Sequence, residues 1–309
     1  MTARPLWSKR AWLGHSSPLF VSAVQSLVRA STGLATAGWE LSVRISPQGV
    51  NCQRLLVGWN TVGVASSRLL ALPDELGMHE ELAQIWKQQV PQASQVLLAA
   101  EVSTAPDGMQ VRNDSVVDRR AYLQFSSNDA QDTLVLRGFK WREDQPQTWR
   151  QTDYHRVLLD LVQTQVAVQH AALDDQRSPS LCQAYAAAAD VLANVKTELE
   201  RRGQAMSHVP FELLVATESV AGASTPRSSL CCRLYDVDVD VRVASTAVQT
   251  LLQAWGHASQ GAAISNLLTH RPLGWLAVGQ DRQGQPFFTL YAQASIHDAW
   301  QWIASGAGL

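Results

Sequence analysis

The chain has 309 residues, 46% of them hydrophobic, enough to bury a substantial core as one large domain or two small ones, and this excludes a disordered or fibrous protein. Only 17% of it is charged and the formal net charge is −2, so no global basic field recruits nucleic acid or an anionic membrane, and any bound anion must be met locally. Of the 25 basic residues only Lys9, Lys87, Lys140 and Lys196 are lysine, leaving 21 arginines. The rigid guanidinium fork grips phosphate oxygens, and the base composition of a GC-rich genome produces the same excess.

The amino terminus has basic residues without an uninterrupted apolar stretch, and no later segment has the long uncharged run of a membrane span, so a soluble, cytoplasmic protein is expected. Cys52, Cys182, Cys231 and Cys232 form no CxxC pair and lack histidines at zinc spacing, which predicts reduced thiols and no structural metal.

In chain order, helical spacing over 18–32, opened by Pro18 and closed by Gly33, predicts a first helix. Strands over 37–46 and 50–59 follow as a hairpin around Ser46-Pro47-Gln48-Gly49, then a helix over 74–90 stopped by Pro91. Further strands fit 95–103, 109–116, 120–126 and 131–140, with turns at Pro106-Asp107-Gly108 and from Ser126 to Asp129. Helices are expected over 153–173 and 180–202, split by Arg177-Ser178-Pro179 and ended by Gly203. Strands over 209–217 and 229–241, a helix within 245–269, strands over 273–279 and 286–293, and a helix near 295–305 complete the chain. The strands are joined by loops too short for parallel crossovers, so the sheet is antiparallel with helices on one side, and ten such strands curl naturally into a barrel. The expected fold is therefore α/β of the α+β type, an antiparallel ten-stranded β-barrel surrounded by α-helices, as a single domain over 1–309.

The chain advertises little chemistry by motif. It has no GxSxG elbow, Walker loop or GxGxxG. Met78-His79-Glu80-Glu81 lacks the second histidine of a zinc-protease helix and reads as solvated helix surface. Asp174-Asp175 sits in a turn without partner ligands. Asp236, Asp238 and Asp240 would share one face of a strand, which then meets water or holds a metal, water being the simpler reading.

The strands say more. Glu40, Ser42 and Arg44 share a face opposite Trp39, Leu41 and Val43, and Arg54 shares one with Leu56 and Gly58. Arg120, Tyr122 and Gln124 alternate likewise, as do Cys231, Arg233 and Tyr235, and Thr289, Tyr291 and Gln293. Each face alone is the wet side of an ordinary sheet. If the faces converge, they make a ring of cations and phenols.

This ordered set resembles the ABBA aromatic prenyltransferases, most nearly the cyanobactin peptide prenyltransferases. The resemblance is carried by WELSVRISPQGVNCQRLLVGW, QQVPQASQVLLAAEV, DSVVDRRAYLQF, PRSSLCCRLYDV and LAVGQDRQGQPFFTLYAQ, with Gln124 and Thr289 standing where basic or aromatic residues are commoner. It implies a barrel that moves a dimethylallyl or geranyl group from its diphosphate to a nucleophilic side chain of a peptide or to an aromatic small molecule. In that reading Glu40 is the catalytic base, Arg54, Arg120 and Arg233 bind diphosphate, and Tyr122, Tyr235 and Tyr291 shield the allyl cation. Mg2+ accompanies the diphosphate by family analogy, without a carboxylate site of its own. The other readings are a non-catalytic barrel that binds a hydrophobic ligand or peptide, which eleven tryptophans also suit, and an assembly protein with a helical interface.

Overall fold

Every strand of the structure, a computed structural model, pairs antiparallel with its neighbours, and the last strand pairs with the first, so that the sheet closes on itself. It describes residues 17–34, 38–103, 116–126, 133–174, 176–204, 211–220, 223–268 and 270–300. The strands are β1 (Gly38–Ser46), β2 (Gly49–Asn51), β3 (Arg54–Asn60), β4 (Gln95–Ser103), β5 (Val116–Gln124), β6 (Leu134–Arg142), β7 (Gln145–Val157), β8 (Glu212–Val220), β9 (Ala223–Arg233), β10 (Leu273–Gln280) and β11 (Pro286–Ala294). β2 and β3 are two halves of one arm that both pair with β1, shifted by one residue where the Asn51 side chain accepts the Gln53 N–H at 2.9 Å. Counted so, ten strands run in sequence order around a barrel, and β11 closes it on β1 from Trp39↔Ala294 to Ile45↔Phe288. The expected ten-stranded barrel is what forms.

Helices α1 (Pro18–Ser31), α2 (Ser66–Glu75), α3 (Glu80–Gln89), α4 (Leu161–Ala172), α5 (Pro179–Arg201), α6 (Ser245–Ala254) and α7 (Gly261–Leu268) surround it. α1 packs on β3, β4 and β5, and α5 on β10 and β11. Both start as their sequences require. Ser17 and Ser178 cap N–H groups three residues on, with proline in the first turn. The large hydrophobic core lies between helices and barrel: Leu41, Val43, Val57, Trp59 and Leu98 face outward into Phe20, Leu27, Leu192 and their neighbours. The apolar strand face therefore points out and the polar face points in, and the barrel interior is the polar space.

The structure corrects several element boundaries. Residues 153–157, expected to open a helix, extend β7 between β6 and β8, because sheet pairing on both sides outweighs local helical spacing; α4 starts only after the Asp160 cap. The helix expected over 74–90 forms as α3 only from Glu80; residues 74 and 75 end α2, which begins at Ser66, and the two are parted at Gly77, whose φ of +64° a left-handed turn requires. The helix within 245–269 breaks likewise at Gly256, φ +77°. The strand expected over 229–241 stops at Arg233, and residues after it coil into short 3-10 turns. Asp236, Asp238 and Asp240 consequently share no strand face: Asp236 pairs with Arg233, and Asp240 caps the next turn and pairs with Arg242 at 3.0 Å. The turns expected at 106–108 and 127–129, the strand over 109–115, Asp175 and the chain beyond residue 300 lie outside the described residues. No described helix is long and apolar enough to cross a membrane.

Candidate active site

Alternation along each strand brings Glu40, Arg54, Arg120, Tyr122, Arg233 and Tyr291 to the interior face, since their Cα partners fall in register around the barrel: Arg54 opposite Glu101, Arg120 opposite Lys140, Tyr122 opposite Gly138, Trp275 opposite both Arg233 and Tyr291. These residues form two groups with aromatic rings between them.

The first group surrounds Glu40 on β1, which is 7% exposed. Burial lifts its carboxyl to about 7, against the opposing pull of the Tyr235 hydroxyl beside it and of the Arg233 charge. Tyr235 reaches this place from the 3-10 turn after β9 rather than from a strand. Its ring lies over Gly274, at a bulge in β10, and meets Trp275 edge-on with centroids 6.3 Å apart. Burial, then the Glu40 carboxyl, holds the Tyr235 hydroxyl well above the usual phenol range. A Cβ on Gly274 would lie 2.7 Å from Tyr235 Cζ. Gly274→Ala is therefore expected to unseat the ring, at about 1–3 kcal/mol for overpacking. Thermal denaturation checks the loss, and NMR titration of Glu40 should show its midpoint rising further once Tyr235 has left; an unmoved midpoint would count against the contact.

The second group is a cluster of cations around one carboxylate. Glu101 on β4, 6% exposed, takes Arg54 Nε at 3.4 Å and a direct ion pair from Arg120, and accepts from Asn51 Nδ2 at 3.2 Å. Lys140 on β6 pairs with Asp118 at 2.8 Å, and Arg44 on β1 pairs with Asp281 at 2.9 Å. Burial together with the neighbouring Arg120 charge brings Lys140 down to about 8, and burial brings Arg44 down to about 10 with Arg54 and Arg120 adding to the push. Arg282, in the β10–β11 turn, pairs with Glu218, and burial plus the charges of Arg150 and Arg120 bring it down to about 10. Cations crowded enough to depress one another favour an added anion. Arg54, 5% exposed, keeps Nη1 without a hydrogen-bond partner among the described residues, and Arg120 keeps Nε so.

Aromatic rings link the groups. The Arg54 guanidinium lies over the Tyr291 ring at 5.7 Å, and Tyr122 packs at a tilt on Tyr154, centroids 6.5 Å apart. Gly138 makes room for Tyr122: a Cβ there would stand 2.8 Å from its ring.

Of the residues singled out in the sequence, Arg54 and Arg120 meet at Glu101. Arg233 does not join them; it pairs with Asp236, lies over the Tyr235 ring at 5.8 Å and sits on the Glu40 side. Sequence reasoning passed over Glu101, Lys140, Tyr154, Trp275 and Arg282. The strand alternation already contained Glu101 and Trp275, whereas Tyr154 fell within a segment with helical spacing and Arg282 reaches inward from a turn.

Mg2+ finds no ready place among these groups. No cluster of three or more His, Cys, Asp or Glu side chains exists among the described residues, and the interior carboxylates Glu101 and Asp118 are already engaged by cations. The residues present do not fit a protein-held magnesium ion.

No protein-family model matches the chain. No curated protein matches it either. Solved structures do. The prenyltransferase PriB, in a ternary complex with L-tryptophan and dimethylallyl thiolodiphosphate, superposes with a TM-score of 0.53 at 13% identity over 91% of both chains. AnaPT from Neosartorya fischeri gives 0.49 at 14% identity over 82% of this chain and 78% of its own. NotF in complex with brevianamide F and the thiolodiphosphate gives 0.46 at 9% identity over 95% and 97%. At such identities the likeness concerns the fold, which is that of the ABBA prenyltransferase barrel.

Proposed function

We propose that this ABBA-type barrel transfers a dimethylallyl or geranyl group from its diphosphate to an aromatic acceptor, either a small molecule or an aromatic side chain of a peptide. The observation that carries the reading is the separation, within one closed interior, of a buried carboxyl held near 7 from a cation cluster, with tyrosine faces between them.

In this mechanism the bond between the allylic carbon and the diphosphate oxygen breaks, and its electron pair leaves with the diphosphate. Arg54 and Arg120, with Lys140 and Arg44 beside them, stabilise that developing charge. Tyr122 and Tyr291 face the allyl cation and attract it through their π-faces while screening it from water. The acceptor atom forms the new carbon bond and loses a proton, which Glu40 takes. Tyr235 and Arg233 set the basicity of Glu40: both favour its ionised form, and burial opposes them. Arg233 is thus assigned to the base rather than to the diphosphate. No step requires magnesium, and turnover is expected to persist in excess EDTA.

The test is incubation with dimethylallyl and geranyl diphosphates and a panel of tryptophan, tyrosine, cyclic dipeptides and peptides, read by mass spectrometry. The expected result is an acceptor heavier by one prenyl group, with pyrophosphate released. Saturable binding of diphosphate or acceptor with no mass gain for any pair would overturn the enzymatic reading and leave a binding barrel.

A further inference from the structure

The cation cluster already holds an anion of its own. Glu101 stands on β4 between Arg54 and Arg120, and burial, which opposes its ionisation, is outweighed by the charges of Arg120, Arg54, Lys140 and Arg44, which hold it well below the usual carboxylate range. It is a permanent negative charge placed where the cations converge. The nitrogens left unpartnered, Arg54 Nη1 and Arg120 Nε, are sealed from solvent, so a ligand reaches them only when the cluster opens. Most neighbouring cations are likewise occupied by carboxylates, Lys140 by Asp118 and Arg44 by Asp281.

We propose that Glu101 is a resident counter-ion, a tethered stand-in for the diphosphate, which an incoming diphosphate displaces from Arg54 and Arg120 and which returns when pyrophosphate leaves. The inference rests on the reading that a diphosphate enters this barrel. Two buried guanidinium groups without an anion are costly, and Glu101 neutralises them in the empty barrel. Its own repulsion of the ligand then limits retention to polyanions, which outcompete one carboxylate, and hastens release of the product. Asn51, which already donates to Glu101 Oε1 and also holds Val102 O at 2.9 Å, gives the displaced carboxylate a neutral partner on the bulged arm.

Isothermal titration calorimetry of the full chain with inorganic pyrophosphate tests this. Glu101→Gln keeps the shape and removes the charge, and its Kd for pyrophosphate is expected to fall at least tenfold below that of the unaltered protein. Glu101→Asp, which keeps the charge and withdraws it by one methylene, should fall between the two and guards against a folding defect in the first variant. Pyrophosphate should also raise the Tm of Glu101→Gln more than that of the unaltered chain. Equal or weaker binding by Glu101→Gln, with the unaltered protein binding pyrophosphate, overturns the counter-ion and assigns Glu101 to scaffolding the arginines, leaving the diphosphate reading intact. Absence of pyrophosphate binding in every form overturns that reading, and the counter-ion with it.

Discussion

Glu40→Gln is expected to lower kcat by about a hundred- to ten-thousand-fold, the range associated with losing a positioned general base, while KM for the prenyl diphosphate stays near its original value. The split follows from the geometry: Glu40 lies with Tyr235 and Arg233, away from the cluster of Arg54 and Arg120. Since a general base must be ionised, the proposed turnover of the unaltered protein should rise as pH is raised through about 7 and level off above it. Stability should respond in the opposite sense. The folded state holds the Glu40 proton up to about 7, whereas an unfolded glutamate releases it near 4.5, so the native state binds more protons in that window and loses stability as pH rises through it. The glutamine variant has no such loss. At pH 8 it should be more stable than the parent by roughly 3 kcal/mol, a gap that closes below the unfolded value. Steady-state kinetics and thermal melts across pH 4 to 9 read both effects, and a glutamine variant with unaltered kcat would remove Glu40 from the mechanism.

Arg54→Ala and Arg120→Ala should show the converse pattern. Each removes charged hydrogen bonds worth roughly 1.5–3 kcal/mol apiece, so KM for the prenyl diphosphate should rise about ten- to a hundredfold. Each also strands Glu101 with one cation fewer, and breaking a buried pair on one side costs about 3–5 kcal/mol, visible as a marked fall in Tm. Adding Glu101→Gln to Arg54→Ala should restore much of the stability and regain diphosphate affinity only as far as freeing Arg120 allows, a coupling that a double-mutant cycle measures directly. Additive losses in the cycle would show that Arg54 and Glu101 do not act on one another.

How far the site was legible depended on what kind of signal each residue leaves. Glu40, Arg54, Arg120, Tyr122 and Tyr291 stand on clean period-two alternation, and a side chain two positions from another on a strand must share its face. Strand alternation does not account for Tyr235, which reaches Glu40 from a 3-10 turn that the neighbouring aspartates favour over continued strand. Arg233 illustrates a different limit. A strand face says which way a residue points but not which interior groups it meets, and Arg233 pairs with Asp236 three residues on and acts on Glu40.

The opening composition, a net charge of −2 with arginine in large excess over lysine, excluded a polyanion-binding surface and left a local anion site open. By itself the sequence determined most of the antiparallel strands, their alternation and the capped helices, because these depend on residue spacing and backbone preference within a few positions, whereas β7 is held as a strand by its pairing on both sides. Only the tertiary structure decided that the polar strand faces look inward, because that turns on β11 closing against β1 some 250 positions along the chain and on helices covering the apolar side. It also decided that Arg54 and Arg120 are neutralised from within, by Glu101. A carboxylate and two guanidinium groups, each the exposed face of an ordinary strand when taken alone, become a buried, mutually neutralised cluster once the barrel closes and removes the water between them.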